Sequence, residues 1–280
     1  MDYILADVLG YCMGVRKAME KAVDAASLNP GKKIYSAGPL IHNPNALKKL
    51  ENLGIGILKT DTELENSIVI IRAHGIPPEE KKRLSCSGAE LVDATCPRVL
   101  SSQRLAEKYY KEGYQVFLAG DKNHGEIEGL AGFAPGCIVL ENPGDAENLN
   151  QIPEKSVLIG QTTIKDDEYQ AIAGKLKSKN PGIIICNTLC PAAGKRQAAL
   201  ADLAQKVEGI IVVGGRNSAN TKRLFYSASA LVKKAWHIEN PEEIPPEVFE
   251  LDKVGITAGA STPDEDIEKV MEYLGSGIKG

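Results

Sequence analysis

The chain has 280 residues and a formal net charge of −4, and aromatic residues make up only 5% of it. This acidic balance excludes a nucleic-acid-binding stripe or a base-stacking platform as its main business, while leaving room for a small anion held by a few local donors. No apolar run reaches the roughly 18 residues of a membrane span, and Met1-Asp2-Tyr3 lacks the basic start of a signal peptide, so a cytoplasmic setting is expected, with the six cysteines as thiols or ligands rather than disulfides.

In chain order, short Ile- and Val-rich runs alternate with amphipathic stretches, as buried strands and covering helices do. Tyr3-Ile4-Leu5-Ala6 precedes Cys12, a helix expected over Val15 to Ala26, and a run ending at Gly38. Ile68-Val69-Ile70-Ile71 leads into Arg72-Ala73-His74-Gly75. Ala89-Glu90-Leu91-Val92 then precedes Cys96, a helix over Arg98 to Glu112, and Gly120. Ser156-Val157-Leu158-Ile159 leads into Gly160-Gln161-Thr162-Thr163, followed by a helix over Glu168 to Lys179. Ile183-Ile184-Ile185 precedes Cys190, a helix over Lys195 to Val207, and Gly215. Val254-Gly255-Ile256-Thr257 leads into Ala258 to Pro263, and a final helix over Asp264 to Leu274 opens with a capping residue and a proline.

The order is therefore a pattern that runs three times. Cys12, Cys96 and Cys190 lie 84 and 94 residues apart (96 − 12 and 190 − 96), and the glycines follow them by 26, 24 and 25 residues. Near-constant offsets mark a repeated supersecondary unit. The expected fold class is α/β, with three small domains at 13–96, 97–190 and 191–280, the last completed by the strand in 1–12. If three such units pack around an axis, their cysteines converge as a metal or cluster site with one coordination position left over.

Each of these cysteines stands just before an expected helix, where the helix N-terminus favours the thiolate. Thiolates suit zinc or an iron–sulfur cluster, and ligands this far apart, one per repeat, fit a cluster better than a local zinc knuckle. Cys86, Cys137 and Cys186 read as buried core cysteines rather than ligands. The expected strand tips carry His42, Asn43 and His74; then His124, Glu126, Thr162 and Thr163; then Ser218, Asn220 and Ser261. Singly, a Ser or Asn here reads as a helix cap or turn residue. Together they suit a phosphate or diphosphate at the carboxyl ends of parallel strands. His237 reads as a strand-end residue.

Gly10-Tyr11-Cys12-Met13-Gly14-Val15-Arg16-Lys17-Ala18, Ile41-His42-Asn43-Pro44, Arg72-Ala73-His74-Gly75-Ile76-Pro77, Asp93-Ala94-Thr95-Cys96-Pro97 and His124-Gly125-Glu126 resemble one known family. So do Gln161-Thr162-Thr163, Asn187-Thr188-Leu189-Cys190, Asn217-Ser218-Ala219-Asn220-Thr221 and Gly259-Ala260-Ser261-Thr262-Pro263. The family is 4-hydroxy-3-methylbut-2-enyl diphosphate reductase of the LytB type, last enzyme of the non-mevalonate isoprenoid pathway, and the likeness spans the chain in order.

The resemblance implies a pseudo-threefold cloverleaf of α/β domains around a central [4Fe–4S] cluster held by Cys12, Cys96 and Cys190, with one iron open to the substrate. It implies removal of the substrate's hydroxyl as water, giving isopentenyl and dimethylallyl diphosphates. His42, His74, His124, Ser218, Asn220 and Ser261 would hold the diphosphate of this allylic substrate. Glu126 would supply protons, with Thr162 in the relay. The chain has no flavin or nicotinamide fingerprint, so electrons are expected from ferredoxin or flavodoxin; no nucleic acid or membrane partner is expected. Two departures stand out: Ser218-Ala219 replaces a pair of serines, and Pro191-Ala192-Ala193-Gly194 follows Cys190 where Ala-Thr is expected. A zinc-dependent hydrolase and a non-catalytic iron–sulfur sensor are the competing readings.

Overall fold

The computed structural model describes residues 2–60 and 62–276. Residue 1 and residues 277–280, the ends of the expected third unit, lie outside the described residues, as does residue 61. The chain forms three four-stranded sheets whose strand pairs are all parallel. By compactness it divides into two units, one of Met1–Arg16, Ile41–Leu53 and Pro191–Gly280, the other of Lys17–Leu40 and Gly54–Cys190.

The second unit holds two of the sheets. One is built from β2 (Ile34–Ser36), β3 (Ile55–Ile57), β4 (Ile68–Ile71) and β5 (Glu90–Asp93), in the order β3-β2-β4-β5. The other is built from β6 (Gln115–Ala119), β7 (Ile138–Leu140), β8 (Ser156–Gly160) and β9 (Ile184–Cys186), in the order β7-β6-β8-β9. The first unit holds β1 (Asp2–Leu5), β10 (Gly209–Val213), β11 (Lys234–Ile238) and β12 (Lys253–Ala258), in the order β11-β10-β12-β1. All three sheets thus share one topology, and in each the strand before a cysteine lies at an edge. The chain's first strand fills that edge in the third sheet, with Asp2 to Leu5 beside Lys253 to Ile256.

Continuous Ile/Val runs become strands here because helices cover both faces and no polar face is needed. β4, β8 and β10 are buried along their whole lengths. The sheet of β6 to β9 packs one face on α7 (Asp166–Lys179) through Phe117, Leu158, Tyr169, Ile172 and Leu176. Its other face packs on α4 (Pro97–Lys111) and α5 (Gly125–Phe133) through Leu118, Ile159, Ala106, Ile127 and Leu130. In the first unit, α10 (Asp264–Ser276) covers one face of the sheet with Ile267, Val270 and Leu274. There α8 (Pro191–Ala204) and α9 (Ala219–Leu231) cover the other face with Ala199, Leu200, Leu203, Leu224 and Ala228. Each such aliphatic side chain, fully buried, contributes about 1.5–3 kcal/mol.

The helix starts explain themselves. α2 (Pro44–Asn52) begins with proline in its first turn, and the Asn43 side chain accepts from the Ala46 amide at 2.9 Å. α1 (Met13–Leu28) buries Ala18, Met19, Ala22 and Ala25, the stripe expected of an amphipathic helix. The five helices read from the sequence all form, each within a few residues of its expected ends. α2 and its flanks, although they lie between β2 and β3 in sequence, belong to the first compact unit. There the Asn45 amide donates to the Glu239 carbonyl, to Asn240 Oδ1 and to Asp266 Oδ2 at 3.0–3.3 Å.

One detail corrects the sequence reading. The glycine in register after β10 is Gly214 rather than Gly215. Gly120 and Gly214 both have positive φ (153° and 142°), and both donate to the last residue of a neighbouring strand, Leu140 at 3.0 Å and Ile238 at 2.9 Å. Gly38 is the second residue past β2, whereas Gly120 and Gly214 are the first past β6 and β10, which accounts for one residue of its longer offset.

Candidate functional site

The three repeated cysteines are alike in backbone setting. Cys12 follows the β1 edge and precedes α1, Cys96 is the N-cap of α4, and Cys190 immediately precedes α8. Each donates its amide to the second residue past the strand beside it. Cys12 N–H bonds the Ala260 carbonyl at 3.1 Å, Cys96 the Ala73 carbonyl at 3.0 Å, and Cys190 the Thr162 carbonyl at 2.8 Å. All three are half-buried. Pro191 opens α8 as Pro97 opens α4, so the departure after Cys190 reproduces the Cys-Pro helix start of the second repeat. A partly accessible sulfur at a helix start is placed to serve as a ligand.

The remaining cysteines differ. Burial raises the thiol pKa of Cys137, and it raises that of Cys186 despite the Tyr109 hydroxyl. Cys86 corrects the buried-core reading: it lies exposed beyond the end of α3 (Pro78–Ser85), Cys137 is only half-buried, and Cys186 alone is buried. None of the three sits before a helix.

In the second unit, the start of α5 and the tip of β8 build an acid site. His124 is the N-cap, and its Nδ1 accepts from the Glu126 amide at 3.1 Å. A neutral ring that accepts at Nδ1 carries its hydrogen on Nε2. The His74 and His124 rings meet edge to face, with centroids 5.1 Å apart. Glu126 is only 2% exposed. Its two oxygens are both held by Thr162: Oε1 accepts from the backbone amide at 2.7 Å and Oε2 from the hydroxyl at 2.9 Å. The Thr162 carbonyl in turn accepts from the Cys190 amide. One residue therefore joins the carboxyl to the cysteine. Gln161, fully buried, backs this tip: its Oε1 accepts from the Asp121 amide at 3.0 Å and its Nε2 donates to Thr163 Oγ1 at 3.1 Å.

Arg72, at the tip of β4, steadies the His74 turn. Its Nε donates to the Gly75 carbonyl at 3.1 Å, and its Nη2 meets Glu128 of α5 at 3.3 Å. The guanidinium lies close over Gly125, where a Cβ would come within 2.8 Å of it.

In the first unit, Ser218 caps α9, with Oγ accepting from the Thr221 amide at 3.3 Å. An oxygen that accepts in this way still has a hydrogen to donate. Ser218, His124 and Asn43 hold the same N-cap position in the three repeats; the capping reading holds for Ser218 and Asn43, and His124 caps as well. Asn220 and Glu126 are each two residues further on. Asn220 Nδ2 is buried without a hydrogen-bond partner, a donor that a bound anion would satisfy. The Ser261 hydroxyl donates to the His42 carbonyl at 3.2 Å, tying these two candidate residues together. Tyr11, beside Cys12, stays neutral: burial and the carboxylates Asp266, Glu265 and Asp264 push its pKa far above the usual tyrosine range. His237 is half-buried on β11, and its Nε2 contacts the Gly214 carbonyl at 2.8 Å.

Sequence reasoning missed Arg72 and Gln161 as individual residues, and it missed Arg196, a 3% exposed arginine in the buried stripe of α8. The signal was present for Arg196. It stands three and four residues before Ala199 and Leu200, where an amphipathic pattern calls for an apolar side chain.

Thiols at helix starts, a buried acid and anion donors at the tips of parallel α/β sheets are the features of an enzyme class. The LytB protein family profile matches residues 3–275, and the chain belongs to that family. The 4-hydroxy-3-methylbut-2-enyl diphosphate reductase of Treponema denticola is 47% identical, over 96% of this chain and 97% of its own length. The reductase of the same name from Aquifex aeolicus is 38% identical, over 98% and 96%. Among solved structures, the E-1-hydroxy-2-methyl-but-2-enyl-4-diphosphate reductase from Plasmodium falciparum superposes with a TM-score of 0.91 at 31% identity, covering 98% of this chain and 87% of its own. A structure of (E)-4-hydroxy-3-methyl-but-2-enyl diphosphate reductase, described as the terminal enzyme of the non-mevalonate pathway, matches with a TM-score of 0.73 at 36% identity, covering 98% and 99%. No helix among the described residues is long and apolar enough to cross a membrane.

Proposed function

We propose that this chain is an oxidoreductase that reduces 4-hydroxy-3-methylbut-2-enyl diphosphate to isopentenyl and dimethylallyl diphosphates. Two electrons and two protons enter, the carbon–oxygen bond breaks, and the hydroxyl leaves as water. The observation that carries the proposal is the connected triplet Glu126–Thr162–Cys190: a buried acid and a thiol at a helix start, bridged by one residue.

In this reading Cys12, Cys96 and Cys190 hold a [4Fe–4S] cluster with one iron left open. Their matching backbone bonds, partial exposure and helix-start positions suit such a ligand set. When bound, the cluster supplies the electrons and a Lewis-acidic iron. The chain's own residues do the rest. Glu126 delivers protons. Its carboxyl is buried and held at both oxygens by Thr162, which fixes it in place as a proton donor. His42, His74, His124, Ser218, Asn220 and Ser261 bind the diphosphate. The His124 Nε2 hydrogen and the orphaned Asn220 amide support this assignment. Anchoring the remote diphosphate fixes the reacting end and lowers the entropic cost of the chemical step.

The repeats 13–96, 97–190 and 191–280 with 1–12 form the functional units in this reading. Ferredoxin or flavodoxin is the electron donor, and six cysteines outside any disulfide fit a reducing, cytoplasmic setting. The test is anaerobic turnover of the allylic diphosphate by the reconstituted full chain under a strong one-electron reductant. Formation of both five-carbon diphosphates supports the proposal, and recovery of unreacted substrate overturns it.

A further inference from the structure

Beside two of the three cysteines, the segment that ends in the cysteine is bonded directly to its neighbouring strand. Ala94, two residues before Cys96, donates its amide to the Ile71 carbonyl at 3.1 Å. Thr188, two residues before Cys190, exchanges two hydrogen bonds with Gly160: Oγ1 accepts from the Gly160 amide at 2.9 Å and donates to its carbonyl at 2.8 Å. Ile71 and Gly160 each stand two residues before the carbonyl that holds the cysteine's own amide, Ala73 and Thr162. The corresponding pair beside Cys12 is Gly10 and Ala258, since Cys12 bonds Ala260.

Gly10 and Ala258 are bridged by an arginine instead. Arg196 Nη2 donates to the Gly10 carbonyl and Nη1 to the Ala258 carbonyl, each at 2.8 Å, with a longer contact from Nη1 to the Val8 carbonyl at 3.4 Å. The reason lies in loop length. Residues 6–11 separate β1 from Cys12, whereas only 94–95 and 187–189 separate the other cysteines from their strands. A longer loop strays from the sheet, and its free carbonyls need donors. A planar guanidinium supplies two at fixed spacing, which an ammonium does not. Burying a charge inside the apolar stripe of α8 is tolerable only with such partners.

We propose that Arg196 is the positioning residue of Cys12, seating it through a side-chain clamp where Cys96 and Cys190 are seated by local bonds. Arg196 belongs to the helix that starts directly after Cys190, so the seat of Cys12 depends on α8 keeping its place. The inference rests on the cluster reading only for its consequence; the clamp itself is a property of the chain.

The test uses the full chain freed of iron, with Arg196→Met and Arg196→Lys, and follows alkylation of each cysteine by iodoacetamide with mass spectrometry. Arg196→Met is expected to speed alkylation of Cys12 by about tenfold, as local opening becomes easier, while Cys96 changes less than about twofold. Arg196→Lys is expected to fall between wild type and Arg196→Met, and it decides the matter if Arg196→Met does not fold. Thr188→Val is the matching control and is expected to loosen Cys190 without loosening Cys12. After reconstitution, chelator is expected to strip iron faster from the Arg196 variants. Equal acceleration at Cys12 and Cys96, or wild-type rates at Cys12 in Arg196→Lys, overturns the proposal. A wild-type chain that takes up no iron would sink the cluster reading while leaving the alkylation result intact.

Discussion

Glu126 and Thr162 form a closed pair in which every carboxylate oxygen has a donor on one residue. Replacing Glu126 by Gln keeps the shape and removes the transferable proton. Turnover should fall by about 10²–10⁴-fold, the usual worth of a positioned acid, with iron content unchanged; steady-state rates beside iron analysis check this. His237 offers a pH prediction. Burial holds its ring below the usual imidazole range, and the Gly214 carbonyl offsets this only in part. The unfolded chain therefore binds the proton more readily than the folded one. Stability from the neutral ring is present above the unfolded pKa of about 6.5 and is lost as pH falls toward the lower folded value. Lowering the pH from 7 to 5.5 should reduce the stability of wild type more than that of His237→Gln, by at most about 1.4 kcal/mol per pH unit, read as a larger drop in Tm. Equal slopes would remove His237 from the account.

At the scale of elements, strand tips are where geometry is least forgiving. Gly120 has a φ of 153°, and a Cβ there would meet Gln161 Oε1 at 2.5 Å. Gly120→Ala should cost about 1–3 kcal/mol, read as a lower denaturation midpoint, and should cut turnover because Gln161 backs the Thr162 tip. An unchanged midpoint would mean that the tip adjusts freely. Much at this scale was legible in the sequence. The Cys-Pro pairs at 96–97 and 190–191 and the Ile-rich runs before them gave the strand–cysteine–helix junctions, because proline at a first helical turn and fully apolar strands are local signals. What was not legible depended on distant partners. Periodicity cannot choose between Gly214 and Gly215. Nor can it show that α2 keeps company with β11 and α10 through Asn45. A charge in an amphipathic stretch counts as a surface residue until carbonyls from elsewhere in the chain are found around it, as around Arg196.

For the whole molecule, the repeat explains both economy and vulnerability. One topology serves three sheets, and the third is finished by residues from the far end of the chain. Deleting residues 1–6 should strip β1 from β12, expose a strand edge and lower the Tm while promoting aggregation. An unaltered melting curve would show the edge strand to be dispensable. The central claim is that three of six thiols, one per repeat, share an inorganic centre. The most direct measurement is iron and acid-labile sulfide per chain in the wild type and in six single Cys→Ser variants, each reconstituted anaerobically. The account predicts about four irons in the wild type. It predicts loss of the cluster in the variants at Cys12, Cys96 and Cys190, and retention at Cys86, Cys137 and Cys186. A full complement of iron in any of the first three, or its loss in any of the last three, would contradict it.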